Sequence, residues 1–194
     1  MTPDAQNKLD GRLIEASKCG HTETVQTLLA AGADVHSVED LALRRAAYFG
    51  HTETVEVLLA HGANVHARGE YGLCYAARNG KTETVKVLLA NGASVRFLDD
   101  GPLRMATYNG HTETVQVLAL HIFTPDSWRG KSRAAIEAAA NALYDKIKAQ
   151  NPQPDRLRTA GVILIDCAMQ CWEQVRPPPP KLQISPLPAQ ARPL

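Results

Sequence analysis

The first candidates for chemistry in this 194-residue chain are histidines that recur at one place in a repeated hexapeptide. An imidazole titrates near neutral pH, so it can act as a general acid or base or bind a metal ion. His21, His51 and His111 occupy equivalent places, but one further copy of the hexapeptide has Lys81 there. Because a reaction that needs an imidazole would not accept lysine, we interpret these histidines as structural.

A second pair of histidines and one pair of cysteines are candidates for metal binding. His36 and His66 lie in equivalent turns, but the next copy has Arg96 there, and no carboxylate or thiol falls at ligand spacing beside them. Cys167 and Cys171 lie four residues apart on one predicted helical face, yet a zinc site needs two further ligands. Their surroundings are apolar, so we expect these thiols to be buried by packing. The sequence therefore predicts no metal site.

Motifs typical of enzymes and of cofactor binding are absent from the sequence. It has no glycine-rich phosphate loop, nucleophile elbow or paired carboxylate motif. We therefore expect a protein without catalytic activity and without a cofactor. The prolines at 177–180, followed by Lys181, loosely resemble a ligand of proline-binding modules, but we favour a solvated spacer.

Composition limits the classes of protein to which this chain can belong. The formal net charge of +1 excludes a globally basic nucleic-acid-binding protein. Aromatic residues make up 5%, so the core must be built from Leu, Val and Ala, which suits thin helical layers. No segment resembles a secretory signal or a membrane span, and four cysteines do not suggest a disulfide framework. We therefore expect a protein of the cytoplasm or another intracellular compartment.

Internal repetition organises most of the chain. The string Gly-His-Thr-Glu-Thr-Val begins at residues 20, 50 and 110, and residues 80–85 repeat it with lysine in place of histidine. The period is 30 residues, without slippage over four copies. A fixed period of this length is typical of proteins that stack identical supersecondary units.

Each copy has the pattern of two short helices. In the second copy, Leu43, Ala46 and Ala47 have the i, i+3, i+4 spacing of one helical face, and Val55, Leu58 and Leu59 repeat that spacing after Gly50. The small alanine pairs allow neighbouring helices to approach closely. One such pair of helices cannot bury enough apolar surface alone, so the copies must stack as an all-α solenoid.

The segments AAYFGHTETVEVLLAHGANV and AARNGKTETVKVLLANGASV closely resemble the ankyrin-repeat family, and the resemblance covers roughly residues 9–123. The family repeats about every 33 residues, whereas this chain is three residues shorter per copy and lacks the Thr-Pro-Leu-His signature. The missing residues fall between Val65 and Leu73, where the family builds projecting hairpins, so we expect blunt loops. Similar short repeats are found in large DNA viruses and bacteria, which implies an inhibitor or a host–virus interaction protein acting in the host cytoplasm.

The repeat pattern and the changes in composition predict four regions. The C-terminal region is expected to form a helical hairpin that covers the open end of the stack, with helices at about residues 127–150 and 155–175. The regions are a disordered N-terminus over 1–8, the repeat array over 9–124 (repeats 9–38, 39–68, 69–98 and 99–124), the C-terminal hairpin over 125–176 and a disordered proline-rich tail over 177–194.

Candidate binding residues come from a contrast between the copies. The second helices are nearly identical, and even their threonines at 22, 52, 82 and 112, which we take to be exposed, do not change. The first helices differ at their non-core positions, and the resemblance implies that these positions face a concave groove that grips partners. The predicted partner-binding residues are Arg44, Arg45, Tyr48, Phe49, Tyr75, Arg78, Asn79, Arg104, Met105, Tyr108 and Asn109.

These observations favour a non-enzymatic module that sequesters, inhibits or tethers a protein partner. The arginines of the first helices favour a partner surface that is partly acidic and partly apolar. One alternative is nucleic-acid binding through the same arginines and tyrosines, and another is a homodimer formed through residues 125–176. Tyr48, Arg78 and Tyr108 share one position in successive copies, so we expect them to line the groove about 10 Å apart.

Overall fold

The computed structural model describes residues 2–150 and 154–177. Within these residues it contains helices and turns and no strand. The helices in chain order are α1 (Pro3–Cys19), α2 (Thr22–Ala30), α3 (Ser37–Phe49), α4 (Thr52–Ala60), α5 (Tyr71–Arg78), α6 (Thr82–Ala90), α7 (Phe97–Asn109), α8 (Thr112–Ile122), α9 (Pro125–Trp128), α10 (Arg133–Ala149) and α11 (Pro154–Val175).

The first eight helices form four antiparallel pairs that stack in one direction. In each pair a first helix (α1, α3, α5, α7) packs on the second helix that follows it (α2, α4, α6, α8). First helices also pack on neighbouring first helices, and second helices on second helices. The predicted all-α solenoid of four helix pairs is therefore confirmed.

A ladder of identical apolar positions holds the stack together. One leucine from each first helix is fully buried, at positions 13, 43, 73 and 103. The second helices contribute a valine and a leucine each, and the alanine pairs Ala46–Ala47 and Ala76–Ala77 lie buried between the layers. Burying one leucine side chain stabilises a fold by roughly 1.5–3 kcal/mol, so repetition of these positions supplies most of the stability.

The turn between the paired helices explains the glycine of the repeated hexapeptide. Gly50 caps α3 in the left-handed conformation, with φ 81°, and Gly20 and Gly110 cap α1 and α7 in the same way. In the third repeat Asn79 caps α5, and Gly80 follows it with φ 64°. A Cβ atom at Gly20 would also collide with the ring of His51 in the next repeat. Glycine is thus required both by the backbone and by the close approach of the next layer.

The turn between successive repeats contains three left-handed residues in place of a projecting hairpin. Val38, Glu39 and Asp40 have φ values of 53°, 57° and 55°, and residues 68–70 and 98–100 repeat this conformation. A left-handed conformation costs roughly 1–2 kcal/mol for each residue that is not glycine. The surrounding contacts must therefore hold these turns in place. The right-handed parts of α3, α5 and α7 begin directly after these residues. In α7 this places Pro102 in the first right-handed turn, where proline is tolerated.

A buried carboxylate recurs once in every repeat and was not among the predicted features. Asp40 accepts a hydrogen bond of 2.8 Å from the backbone N–H of Asn64 in the following turn, and Asp10 accepts one of 2.8 Å from Asp34. The side chains at the four equivalent positions are all buried, and they recur every 30 residues at Asp10, Asp40, Glu70 and Asp100.

The prediction of a disordered N-terminus over residues 1–8 is wrong for residues 3–8, which form the first turns of α1. Thr2 caps this helix by accepting a hydrogen bond from the backbone N–H of Ala5, and Pro3 occupies a position that needs no N–H donor. The Gln6 side chain then donates hydrogen bonds to Asp10 and to the carbonyl of Gly32. These contacts with the first repeat order the segment.

The C-terminal helices pack against the last repeat. The single helix predicted over about 127–150 is instead two helices, α9 and α10, because Gly130 adopts φ 77° and Ser132 caps a new helix. Helix α11 packs against α10 and lies on α8 and α7. Ile136, Leu164 and other side chains of this pair join the core of the repeats. The predicted tail lies outside the described residues from 178 onward.

The paired cysteines of α11 lie in this interface. Cys167 and Cys171 are both buried among apolar side chains, as the sequence analysis expected. Burial raises the pKa of the Cys167 thiol to about 11 and also raises the pKa of Cys171. Because a thiolate is the reactive and metal-binding form of cysteine, these two thiols are poor nucleophiles and serve in packing.

Candidate binding groove

The first helices expose one set of large side chains along the stack. Each of these side chains projects from a helix whose opposite face carries the buried leucine and the small residues of the core. The exposed members of the predicted set are Arg45, Tyr48 and Phe49 on α3, Arg78 on α5, and Met105 and Tyr108 on α7.

An aromatic cluster bridges the second and third repeats. Tyr48 packs edge-on against Phe49 and Tyr75, with ring centroids 4.9 Å and 5.6 Å away. Tyr75 stacks on Tyr71 at 5.5 Å, and the ring of Phe49 stacks on His51 at 6.1 Å. The sequence analysis missed Tyr71, although its place four residues before Tyr75 on a helix was a usable signal.

A cavity of about 310 Å³ lies beside this cluster, between α3 and α5. Neither Arg45 nor Arg78 forms an ion pair with any of the described residues. The cavity thus combines aromatic surface with cationic groups that have no internal counter-ion. Its walls are formed by Leu41, Arg44, Arg45, Tyr48, Tyr75 and Arg78.

Arg44 contributes to this cavity as a support for the backbone. Its side chain is only 9% exposed, and Nε and Nη2 donate hydrogen bonds to the carbonyls of Glu39 and Val38, at 3.1 Å and 2.9 Å. Burial, reinforced by the neighbouring Arg68, lowers the pKa of this guanidinium. Arg44 was predicted to bind the partner, but it is buried and its guanidinium holds the left-handed turn, which leaves it less available to a partner than Arg45.

Asn79 and Asn109 also have structural contacts. The Asn79 amide donates hydrogen bonds to the carbonyls of Tyr75 and of Tyr48 in the preceding repeat, at 3.0 Å and 3.2 Å. The Asn109 amide donates to the carbonyl of Met105 at 2.8 Å. These amides satisfy carbonyls at the ends of first helices, which leaves them less available to a partner.

A second cavity, of about 290 Å³, lies where the last repeat meets the C-terminal helices. It includes three predicted residues of α7, and the sequence analysis missed the two that come from beyond the array. Its walls are formed by Arg104, Met105, Tyr108, Ile147 and Gln150. A linear pattern could not identify these last two residues, because only the packing of α10 near α7 brings them to the groove.

The sequence comparisons identify the repeats that form this groove. The family model of ankyrin repeats matches the chain in three copies, at residues 4–69, 43–127 and 73–148. The chain belongs to the ankyrin-repeat family. No curated protein matches it. The matched ranges extend on both sides of the resemblance noted over residues 9–123, from within α1 to within α10.

Ankyrin repeats are generally protein–protein interaction modules and typically have no enzymatic activity. The exposed first-helix residues and the two cavities lie on these repeats and at their C-terminal end. In the part of the chain that the structure describes, no helix is both long and apolar enough to cross a bilayer.

In the ankyrin turns, His51 and His111 have the structural role that was predicted for them. Nε2 of His51 donates a hydrogen bond of 3.0 Å to the carbonyl of Lys18, and Nε2 of His111 does the same to Arg78. Each bond joins the turn of one repeat to the first helix of the repeat before it. The side chain of Lys81 lies over Gly50 in the same manner.

His36 and His66 do have carboxylate neighbours, so the prediction that no carboxylate lies at ligand spacing beside them is wrong. Nδ1 of His36 lies 3.1 Å from Asp40, and Nδ1 of His66 contacts Glu70, four residues further on in each case. Both carboxylates are buried, and each belongs to the last residue of a left-handed turn. Over residues 2–150 and 157–177, no three His, Cys, Asp or Glu side chains group closely enough to hold a metal ion.

The threonines of the second helices form hydrogen bonds between ankyrin repeats. The prediction that all of them are exposed is therefore wrong. The hydroxyl of Thr52 lies 2.9 Å from that of Thr84, and the hydroxyl of Thr82 lies 2.9 Å from that of Thr114. Thr82 is 9% exposed. Packing and hydrogen bonding therefore explain the constancy of Thr22, Thr52 and Thr82, which is no measure of drift at exposed sites. Of the four threonines only Thr112 is exposed.

Proposed function

We propose that this ankyrin-repeat protein sequesters, inhibits or tethers a partner protein through the concave groove of its first helices. The observation that carries the proposal is the cavity between α3 and α5, where Arg45 and Arg78 lie beside the tyrosine cluster without internal counter-ions. Tyrosine and arginine are enriched among the residues that dominate the energy of protein interfaces.

The chemistry of the groove favours a partner surface that is both apolar and acidic. Tyr48 and Tyr75 offer rigid aromatic surface, which gains energy when it is removed from water. Arg45 and Arg78 would lose hydration on binding, and a carboxylate on the partner would compensate for that loss. An acidic group flanked by apolar side chains matches both requirements.

The proposal is tested by affinity capture from the source cell, followed by binding measurements with the captured partner. Replacing an aromatic or arginine residue at the centre of an interface typically costs about 2 kcal/mol or more of binding energy. We therefore expect Arg78→Ala, Tyr48→Ala and Tyr108→Ala each to weaken binding about 30-fold, by the usual conversion of free energy to affinity.

Matched controls come from exposed positions of the second helices. Glu56, Lys86 and Gln116 occupy one position in successive repeats, and each side chain is exposed. Their replacement by alanine should leave the affinity unchanged within about twofold, since rim or distant contacts contribute little. Normal binding by all three groove variants would refute the proposal.

Nucleic-acid binding is the alternative use of the same cavity, because arginines contact phosphates and tyrosines stack on bases. That interaction would weaken steeply with increasing salt and would be found with oligonucleotides of random sequence. We expect no such binding, because the net charge of the chain is only +1. Fluorescence anisotropy with a random single-stranded oligonucleotide at two salt concentrations decides between the two functions.

Self-association through the C-terminal helices is a second candidate function. Val162 and Ile165 lie on one face of α11 and are 60% and 43% exposed. Two such faces could pack together in a dimer. Light scattering on the full chain tests this candidate, and Val162→Lys should restore the mass of one chain if a dimer forms.

An intracellular location is consistent with this proposal. The cysteines at positions 19, 74, 167 and 171 are free, and all except Cys19 are buried. Free thiols are usual in reducing compartments. Localisation of the tagged chain in its source cell tests the assignment.

A further inference from the structure

The cavity between α7 and α10 contains a cationic donor that lacks an acceptor. Nε of Arg104 is buried and has no hydrogen-bond partner among the residues that the structure describes. Met105, Tyr108 and Ile147 form apolar walls around it. A buried donor of this kind is stabilised when a ligand supplies the missing acceptor.

Comparison with the equivalent arginine two repeats earlier shows that the missing hydrogen-bond acceptor is particular to Arg104. Arg44 occupies the same repeat position, 60 residues before, and its guanidinium donates to the carbonyls of the left-handed turn at residues 38 and 39. The same turn is present at residues 98–100, beside Arg104. Yet Arg104 makes no such hydrogen bond, and its side chain lines the cavity instead.

The C-terminal helices add a further cation beside Arg104. Lys146 of α10 forms ion pairs with both Asp99 and Asp100, and Arg96 lies 3.7 Å from Asp100. The hydrogen bond from Lys146 is the largest cause of the lowered pKa of Asp99, while Arg104 acts on that carboxylate only through space. Three cations thus surround two carboxylates, and Arg104 is the cation that has no ion pair.

We infer that this cavity binds an acidic side chain of the partner, as a second anchor beyond the repeats. A carboxylate in the cavity would accept two N–H groups of the Arg104 guanidinium, the paired geometry that arginine favours. Met105 and Ile147 would contact the apolar residues beside that acid. The source of the carboxylate, a partner protein, rests on the proposed function, whereas the carboxylate chemistry of the cavity does not.

The probe for this site is the blocked tripeptide acetyl-Leu-Glu-Leu-amide, compared with its glutamine counterpart, acetyl-Leu-Gln-Leu-amide. The two peptides differ only in whether the central side chain ends in a carboxylate or an amide. Their affinities for the unmodified full chain can therefore be compared directly, without a protein variant. NMR spectroscopy of the arginine Nε–Hε groups follows the binding. We expect the glutamate peptide to shift the Arg104 resonance and to bind at least tenfold more tightly than the glutamine peptide.

Two variants assign that preference to the cavity. Arg104→Gln should abolish the preference for glutamate, while Arg78→Gln, which changes the neighbouring cavity, should leave the Arg104 shift intact. Melting curves recorded by circular dichroism verify that both variants fold. Equal affinity for the two peptides, no shift at the Arg104 resonance, or a preference that persists in Arg104→Gln would each overturn the inference.

These outcomes are separable from those of the groove variants. If Tyr48→Ala and Arg78→Ala weaken partner binding but the peptides do not distinguish Arg104, the groove binds the partner and the second anchor is refuted. If the glutamate peptide shifts the Arg104 resonance and binds more tightly than the glutamine peptide, but the groove variants bind the partner normally, the carboxylate site at Arg104 is supported and the groove proposal is refuted.

Discussion

The two faces of the repeat stack carry different kinds of sequence information. Second helices are nearly identical in sequence, and their threonine hydroxyls pair from one repeat to the next. First helices share their buried leucines but expose Arg45, Arg78 and aromatic side chains that change with each repeat. Residues of the second helices are constant where they make structural contacts, and exposed residues of the first helices vary where they make few such contacts. Variation alone therefore does not identify a binding site, and the unpaired arginines are the stronger signal.

The largest loss of stability is expected from truncating the buried leucines. It should be equal for first and second helices, because both contribute leucines to the centre of the stack. Leu73 and Leu88 are each fully buried, on α5 and α6. Leu73→Ala and Leu88→Ala should each lower the free energy of unfolding by about 2–5 kcal/mol, since truncation leaves a cavity. Chemical denaturation measures this, with Lys86→Ala as the exposed control. A clearly smaller loss on one face would show that the two faces do not share one core.

The next largest loss of stability is expected where threonine hydroxyls of neighbouring second helices are paired. Thr82→Val removes the hydroxyl partner of the buried Thr114 and should cost about 1–3 kcal/mol of unfolding free energy. Thr112 is its exposed counterpart in the last repeat, with no following repeat to pair with. Thr112→Val should cost no more than about 0.5 kcal/mol. Equal losses in the two variants would contradict a structural role for the hydroxyl pairs.

A smaller effect is expected at the turn that joins the two faces. His51→Ala leaves the carbonyl of Lys18 without its donor and should cost about 1 kcal/mol. His51→Lys should be tolerated better, because Lys81 occupies this position in the next repeat. His21 forms no such hydrogen bond among the described residues, so His21→Ala is the control and should leave the unfolding free energy unchanged. Thermal unfolding of the three variants provides the comparison.

The smallest effect on stability belongs to the arginines of the groove. Arg45→Ala and Arg78→Ala should change the free energy of unfolding by no more than about 0.5 kcal/mol, because both side chains are exposed. Arg44→Ala is the matched contrast, since it removes two hydrogen bonds from a charged donor and should cost about 1.5–3 kcal/mol. If Arg44→Ala proved as mild as Arg45→Ala, the left-handed turn would not depend on its guanidinium.

Much of the fold was predictable because its signals are local and periodic. The spacing of Leu43, Ala46 and Ala47 defines a helical face within one turn of helix, and repetition every 30 residues turns that face into a stack. The buried acids at Asp10 and Asp40 have the same period, so they could have been found by the same inspection. The N-terminal turns of α1 were missed because their contacts, such as that of Gln6 with Gly32, lie 26 residues away in sequence.

The amino-acid sequence by itself determined the ankyrin architecture, the period and the buried ladder, because these follow from apolar spacing and small residues at helix contacts. Only the tertiary structure decided which polar side chains remain available to a partner. Arg44 and Arg104 have the same residue type and the same repeat position, yet one supports a turn and the other lines a cavity. Beside Arg104, Lys146 of α10 pairs with the carboxylate of Asp100, 46 residues away in sequence, and with that of Asp99, and α10 also forms a wall of the cavity. A pairing across that distance is set by how α10 packs, which no local pattern encodes.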